Sequence, residues 1–135
     1  MESKDIDDKK YAIAHDGSGA DKVDEIHNRV FMSAYPPTED YERMKSLGIT
    51  HIVSIMPGAF EMHKKEGIKY LILDQVKDDD SQNILQYFPQ SNTFIREALV
   101  ENEKNKVLVH CAAGMSRSGA FVTAYLIQEC GMNLE

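Results

Sequence analysis

The chain alternates between short β-branched segments and longer segments whose apolar residues recur at helical spacing. The short segments are bounded by proline, glycine or polar turns, which is typical of strands. The longer ones repeat apolar residues every three or four positions, which is typical of helices packed on one side. The pattern predicts strands over 30–33, 49–55, 68–73 and 107–109, and helices over 39–47, 60–66, 84–101 and 117–130. Because strands alternate with helices, we expect an α/β fold with a mainly parallel central sheet and helices on both of its faces.

Several boundaries follow from residues that start or stop helices. Thr38 has the side chain of a helix N-cap, and Gly48 is expected to end the same helix. Pro89 is expected in the first turns of the long helix and is predicted to bend it there. The inward-facing stripe of that helix is predicted to contain Ile84, Leu85, Phe88, Phe94, Ile95, Ala98 and Leu99.

Residues 1–25 differ from the rest of the chain in composition. They contain eight acidic residues and four lysines, and apolar residues are sparse. A segment with so little to bury is predicted to be a solvated, disordered tail. We therefore expect one folded domain over residues 26–135.

The charge and cysteine content of the whole chain narrow the possible functions. The 135 residues carry a formal net charge of -7, which argues against nucleic-acid binding through phosphate neutralisation and against adhesion to an anionic membrane. No apolar segment approaches the roughly 18 residues of a membrane span, and the N-terminus has no apolar signal segment. Two cysteines in different surroundings do not indicate a disulfide framework. We expect an intracellular protein, cytoplasmic or nuclear, with reduced thiols.

The residues that suggest chemistry lie between 106 and 119. A buried strand brings Cys111 to its carboxyl end, and a loop of small residues leads into a helix that begins at Arg117. Ligands of α/β sheets bind at the carboxyl ends of strands, and the free amides of a helix N-terminus bind anions. The planar guanidinium of Arg117 can grip phosphate oxygens. The same positive field favours the thiolate of Cys111, so the segment predicts a nucleophilic cysteine facing an anion.

Simpler interpretations of the same residues also exist. A buried cysteine after a strand is usually an inert core residue, and a lone histidine such as His110 is usually structural. A Cys-His pair can bind metal, but no second Cys-x-x-Cys or His-rich element supports a metal site. The joint order of strand, His, Cys, five residues, Arg, Ser and helix favours the functional interpretation. Cys130 is expected to be a small core residue, ~20 Å from Cys111 along the helix and too far for a disulfide.

Residues 110–118, with the sequence HCAAGMSRS, resemble the signature of the dual-specificity protein phosphatases within the protein tyrosine phosphatase superfamily. The resemblance implies that Cys111 is the nucleophile that forms a phosphocysteine intermediate and that Arg117 holds the phosphoryl group. It implies that Ser118 assists the sulfur as a leaving group, and that His110 organises the loop and keeps Cys111 ionised. The phosphate-binding amides would belong to Ala112, Ala113, Gly114, Met115, Ser116 and Arg117. It implies neither a cofactor nor a metal.

The resemblance also extends to residues 70–74 and 83–88 and implies a general acid between them. The family places this acid five residues before the segment that begins at Asn83, which gives Asp78. Three other acids, Asp74, Asp79 and Asp80, lie in the same loop, and most of these carboxylates are expected to be solvated.

The chain departs from the family pattern at its carboxyl end. The family domain continues through about two more helices, so we expect the domain over residues 26–135 to be truncated at its C-terminus. No kinase-docking domain precedes the catalytic segment, which is typical of the small atypical members of the family.

Two kinds of function remain open from the sequence. The first is an active phosphatase that hydrolyses phosphotyrosine in proteins, with phosphoserine and phosphothreonine as further candidates. The second is a phosphoprotein-binding module that keeps the loop but turns over poorly. Intact Cys111, Arg117 and Ser118 favour the first. A rhodanese-like loop and an RNA triphosphatase are weaker alternatives, because the candidate acid argues against the former and the acidic net charge against the latter.

Overall fold

Five strands form one sheet at the centre of the domain. The computed structural model describes residues 21–76, 84–112 and 116–131, and of Ser116 only the backbone. The strands are β1 (Val23–His27), β2 (Val30–Ser33), β3 (His51–Ile55), β4 (Lys69–Ile72) and β5 (Val107–Cys111). The helices are α1 (Tyr41–Leu47), α2 (Phe88–Glu101) and α3 (Ser116–Cys130), with 3-10 turns at Pro36–Glu39, Lys64–Glu66 and Ile84–Tyr87.

The strand order is β1-β2-β5-β3-β4, so β5 lies in the middle of the sheet. Strand β5 runs parallel to β2 and to β3, and β3 runs parallel to β4. Only β1 pairs antiparallel, with β2, among the described strands. The mainly parallel sheet is confirmed, and all four predicted strands occur within their predicted segments or close to them.

Strand β1 was not predicted, and its first three residues fall in the segment assigned to the tail. Its residues are largely half-buried or exposed, and it lies at the sheet edge. Charged residues on an edge strand disfavour its pairing with the edge strand of another molecule. They also interrupt the alternation of apolar residues by which a strand is predicted, so β1 could not be predicted from that alternation. Arg29 in the turn to β2 has a φ of 66°. Its guanidinium donates to the carbonyl of Leu99 in the last turn of α2 and to the carbonyls of Asn102 and Asn105 just after it. The rest of the predicted tail, residues 1–20, lies outside the described residues.

The start of α1 differs from the prediction by two residues. Asp40, rather than Thr38, is the N-cap, since its carboxylate accepts from the backbone N–H of Arg43 at 3.1 Å. Thr38 lies in the preceding 3-10 turn, and its hydroxyl donates to the carbonyl of Tyr35 at 2.6 Å. The predicted end is confirmed, because Gly48 adopts the left-handed conformation with a φ of 80°, which suits glycine.

The long predicted helix divides into the 3-10 turn at Ile84–Tyr87 and helix α2, with Pro89 in the first turn of α2. Ile95 and Ala98 are buried as predicted. Leu85 was placed in the buried stripe wrongly, because its side chain is 65% exposed. It lies in the 3-10 turn, where three residues per turn replace the helical period used for the prediction.

Two apolar clusters occupy the two faces of the sheet. One joins the sheet to α2 and α3 and contains Val30, Val53, Ile55, Val107, Val109, Ile95 and Phe121 among its buried members. The other joins it to α1 and contains Phe31, Met44, Ile49, Ile52, Ile68 and Leu108. Alternate residues of β5 therefore point to opposite faces, and helices cover both faces as predicted.

Cys130, at the end of α3, is exposed, so its assignment to the core was wrong. None of the helices in the described parts of the chain is long and apolar enough to cross a membrane.

Candidate active site

Cys111 is the last residue of the central strand β5, and its side chain is 3% exposed. It is paired in register with Ile55 at the end of β3. Strands β2, β3 and β5 are parallel, so their carboxyl ends meet at one edge of the sheet. Buried apolar residues on both sides hold the strand in place, which fixes the sulfur at the edge where α/β proteins bind ligands.

A cavity of about 20 Å³ opens beside Cys111. It is lined by Ile55, Met56, Pro57, Val76, Cys111, Ala112 and Arg117. These residues come from β3 and the turn after it, from the segment after β4, and from the two sides of the loop between β5 and α3. Cys111 and Arg117, which the sequence predicts to act together on an anion, therefore line the same cavity.

Ser118 meets the thiol from the first turn of α3. Its side chain is fully buried, and its Oγ lies 3.5 Å from the Sγ of Cys111. The same sulfur lies 3.4 Å from the carbonyl oxygen of Ala112. When the sulfur is a thiolate it can only accept, so the hydroxyl of Ser118 then donates to it. A donor at this position stabilises negative charge on the sulfur.

His110 is buried beneath the site, with a side chain 2% exposed. Its Nε2 lies 2.8 Å from the Oγ of Ser54 and its Nδ1 lies 3.2 Å from the carbonyl oxygen of Cys111. Burial lowers the pKa of His110 to about 4, a shift that the bond to the Cys111 carbonyl partly offsets. The imidazole is therefore neutral near pH 7, so any support that it gives to an ionised Cys111 comes through hydrogen bonding and not through a positive charge.

The candidate acids are only partly described. Asp74 follows β4 and is exposed, whereas Val76, two residues further on, is buried and lines the Cys111 cavity. The chain thus approaches the cavity just before residues 77–83, which contain Asp78, Asp79 and Asp80 and lie outside the described residues. The same holds for Ala113, Gly114, Met115 and the side chain of Ser116 in the phosphate-binding loop.

A much larger opening lies between α2 and α3. Its volume is about 810 Å³, and its lining includes Leu85, Phe88, Ala120, Ala124 and Ile127. It contains neither cysteine nor histidine among its lining residues. Within the described segments, no group of three or more His, Cys, Asp or Glu side chains is placed to hold a metal ion.

Sequence reasoning missed two residues around His110. Ser54 bonds to its ring, and the ring of Tyr35 lies 5.9 Å away, centroid to centroid. The sequence contains a signal for Ser54, because it is the polar residue in the otherwise β-branched segment Ile52–Ile55. A lone serine near the carboxyl end of a buried parallel strand can indicate a buried hydrogen bond. Its partner is 56 residues away and could not be named without the fold.

The parallel sheet, with a cysteine at the end of its central strand and an arginine at the start of the next helix, defines a protein tyrosine phosphatase-like α/β protein. Comparison with known families agrees, because the family described as "Dual specificity phosphatase, catalytic domain" matches residues 30–135. This chain belongs to the dual specificity phosphatase catalytic-domain family.

Individual relatives are similar over most of this chain. The tyrosine-protein phosphatase yvh1 of Schizosaccharomyces pombe is 40% identical over 113 residues, which are 84% of this chain and 33% of that protein. Dual specificity protein phosphatase 22 of Xenopus laevis is 39% identical over 111 residues, which are 82% of this chain and 49% of that protein. The alignments thus take in between a third and a half of the length of these relatives.

Solved structures have the same fold. The human tyrosine phosphatase-like serine/threonine/tyrosine-interacting protein is 33% identical with a TM-score of 0.72, and the match covers 82% of this chain and 76% of that one. The Yvh1 phosphatase domain from Chaetomium thermophilum is 28% identical with a TM-score of 0.71, and the match covers 80% of this chain and 68% of that one.

Proposed function

We propose that the domain is a cysteine-dependent protein phosphatase that hydrolyses phosphotyrosine, and phosphoserine or phosphothreonine as well, through a phosphocysteine intermediate. The observation that carries the proposal is that Cys111 and Arg117 line the same cavity. The Sγ of this cysteine also lies 3.5 Å from the Oγ of Ser118. Membership of the phosphatase family supports it.

In the first step the thiolate of Cys111 attacks phosphorus. A sulfur–phosphorus bond forms while the bond to the ester oxygen breaks. Arg117 is placed to bind the equatorial oxygens through its planar fork. The leaving oxygen takes a proton from a general acid, which we assign to Asp78. Support for this loop as the source of the acid comes from Val76, which lines the cavity two residues earlier.

In the second step water attacks the phosphocysteine. Asp78, now a carboxylate, takes a proton from the water, the sulfur–phosphorus bond breaks, and inorganic phosphate leaves. The departing thiolate accepts a hydrogen bond from the hydroxyl of Ser118. This bond stabilises the negative charge that develops on the sulfur as the sulfur–phosphorus bond breaks. Since the nucleophile is a thiolate that oxidants attack readily, the reaction requires a reducing compartment.

The substrates of this scheme are phosphorylated proteins. The segment after β4 and the turn after β3 both reach the cavity, so a protein surface can present a phosphorylated side chain along the edge of the sheet. No cofactor is needed, because the cysteine and the carboxylate supply the nucleophile and the proton.

A panel of phosphopeptides tests the proposal. The panel carries the same sequence with phosphotyrosine, phosphoserine or phosphothreonine, and a generic aryl phosphate is included. We expect the wild-type chain to release inorganic phosphate from the aryl phosphate and from the phosphotyrosine peptide, and the other two peptides define its range. Binding of these ligands without any release of phosphate would contradict the proposal and would indicate a phosphoprotein-binding module.

A further inference from the structure

A second cavity adjoins the Cys111 cavity on the other side of the sheet. Cys111 belongs to the apolar cluster on the face covered by α2 and α3. Side chains alternate along a strand, so the preceding residue, His110, points to the face covered by α1. A cavity of about 40 Å³ lies beside this histidine. We call it the side pocket, and its walls include Met56, Ala59, Phe60, Met62 and the rings of Tyr35 and Tyr70.

Met56 connects the two cavities. It directly follows β3, is half-buried, and lines both the side pocket and the Cys111 cavity. An extended chain advances ~3.5 Å per residue. A peptide whose phosphorylated side chain enters the Cys111 cavity therefore carries a side chain one or two positions away past Met56 to the side pocket.

The polar side chains of the side pocket already have hydrogen-bond partners. The hydroxyls of Tyr35, Thr38, Ser54 and Tyr70 bond to the Glu39 carboxylate, the Tyr35 carbonyl, the His110 ring and the His63 backbone N–H, respectively. Because these groups are satisfied within the protein, an occupant gains little by bringing polar groups to them. The pocket therefore presents itself to an occupant mainly as an apolar surface.

The charges around the side pocket disfavour an acidic occupant. None of the described residues that line it is Lys or Arg, and the bond from Tyr35 holds the carboxylate of Glu39 close by. A second phosphate or a carboxylate would meet no positive group there. Phe60 is 61% exposed, so it offers apolar surface that an incoming side chain can cover. The unbranched thioethers of Met56 and Met62 can adapt to occupants of different shape.

We propose that the side pocket is a substrate subsite that binds an uncharged apolar side chain one or two positions away from the phosphorylated residue. The proposal rests on the proposed phosphatase function for its effect on turnover, but not for its effect on peptide binding. The substrates that it selects are phosphoproteins with an apolar residue beside the phosphorylated one, and Phe60 is the specificity-determining residue that is most accessible to substitution.

Pairs of phosphotyrosine peptides test this subsite. Each peptide has alanine around the phosphotyrosine except at one position, −2, −1, +1 or +2, which is either leucine or glutamine. The two side chains are similar in size and both are uncharged, so each pair compares apolar with polar character alone. We expect kcat/KM of the 135-residue chain to be about tenfold higher for leucine than for glutamine at one or more of these positions.

Two variants assign the preference to the side pocket. Phe60→Ser removes apolar surface from its wall, and the ratio of kcat/KM for leucine over glutamine should fall to about threefold or less. Val100→Ser is the matched control, because Val100 is also a large exposed apolar residue, 79% exposed, in the last turn of α2. It should keep the wild-type ratio. The thermal midpoint of each variant shows that it is folded.

Equal kcat/KM for leucine and glutamine at all four positions, or an unchanged ratio in Phe60→Ser, would overturn the proposal while phosphate release continued. If neither the peptides nor an aryl phosphate released phosphate, the phosphatase function would be contradicted instead. The same peptide pairs would then be compared by their Kd for the Cys111→Ser chain. About tenfold tighter binding of a leucine peptide would support the subsite, and equal Kd values would overturn it.

Discussion

Two of the openings among the described residues have opposite character. The one beside Cys111 measures about 20 Å³ and is lined by a thiol and a guanidinium as well as apolar groups. The one between α2 and α3 measures about 810 Å³ and is lined mainly by apolar side chains. A large apolar pocket is usually the first choice for a binding site. Here the polar groups converge elsewhere, at the carboxyl end of the central strand, so the placement of chemical groups and not the cavity volume identifies the site.

The two cysteines give the strongest test of this difference. Cys111 lies at the small opening and Cys130 is exposed at the far end of α3. Cys111→Ser should abolish turnover of an aryl phosphate because serine is not ionised near neutral pH, while binding of a phosphate analogue should remain. Cys130→Ser should retain full activity. Turnover near the wild-type level in Cys111→Ser would exclude covalent catalysis at this residue.

Single Asn substitutions in the acidic segment measure the contribution of the general acid. Asp78→Asn should lower kcat by about 10²–10⁴ and remove the basic limb of the pH profile. The loss should be smaller for substrates with good leaving groups, which need less protonation. Asp74→Asn is the matched control, since Asp74 is exposed before the chain reaches the cavity. If Asp79→Asn or Asp80→Asn loses the basic limb and Asp78→Asn keeps it, the assignment to Asp78 is wrong and the residue whose variant loses the limb is the general acid.

Two arginines provide the next comparison. Arg117 lines the small opening, whereas Arg96 on α2 bonds both carboxylate oxygens of Glu129 on α3, each at 3.2 Å. Arg117→Lys should lower kcat/KM at least about tenfold, because an ammonium cannot replace a bidentate fork. Arg96→Lys should change it less than about twofold, since Arg96 does not line the small opening. A loss below about tenfold in Arg117→Lys would argue against phosphoryl binding by this side chain.

His110 should make the stability of the domain depend on pH. Burial lowers the pKa of His110 in the folded chain to about 4, below the ordinary histidine value of 6.5, so the unfolded chain takes up the proton at a higher pH. The free energy of unfolding should therefore fall as pH drops from 6.5 toward 4, by about 1.4 kcal/mol per pH unit at most from this group. His51, whose pKa burial also lowers, acts in the same direction.

Chemical denaturation of wild type and His110→Gln between pH 7 and 5 measures that contribution. The variant should have a shallower slope of stability against pH than the wild type, because it lacks the imidazole whose pKa burial lowers to about 4. Some slope should remain, because burial also lowers the pKa of His51. Equal slopes in the two proteins would contradict a neutral, buried imidazole at this position.

The smallest effect is expected at the large opening. Ile127 lines it and is 50% exposed, so Ile127→Ser removes apolar surface without opening the core. We expect kcat with an aryl phosphate to change less than about twofold. A loss comparable with that of Arg117→Lys would show that the two openings are coupled and would weaken the distinction between them.

The part of the fold that carries the site was predictable because its information is local. A β-branched strand, a loop of small residues and a helix beginning near Arg117 follow one another directly, and the structure shows them as β5 and α3. The C-terminal boundary of α1 was equally local, since only Gly48 was needed to predict it. Its start was not, because Thr38 and Asp40 are both good N-caps, and the hydroxyl of Thr38 donates instead to the carbonyl of Tyr35.

Other features depend on contacts distant in sequence. Strand β1 pairs locally with β2, but Arg29 in the turn between them bonds to carbonyls at and just after the end of α2, which are at least 70 residues away. The neutral state of His110 and its bond to Ser54 likewise require β3 beside β5. Periodicity predicts which residues are buried, but it does not say which buried polar residues meet.

The most direct test of the central claim is the detection of phosphate on Cys111 during turnover. Ser118→Ala should slow the second step more than the first, so the intermediate should accumulate. Mixed rapidly with excess aryl phosphate, this variant should release a burst of phenol equal to the enzyme concentration, followed by slow turnover. After rapid denaturation and trypsin digestion, the peptide of residues 107–117 should carry one phosphoryl group on Cys111. Steady turnover with no burst and no phosphoryl group on that peptide would contradict the account.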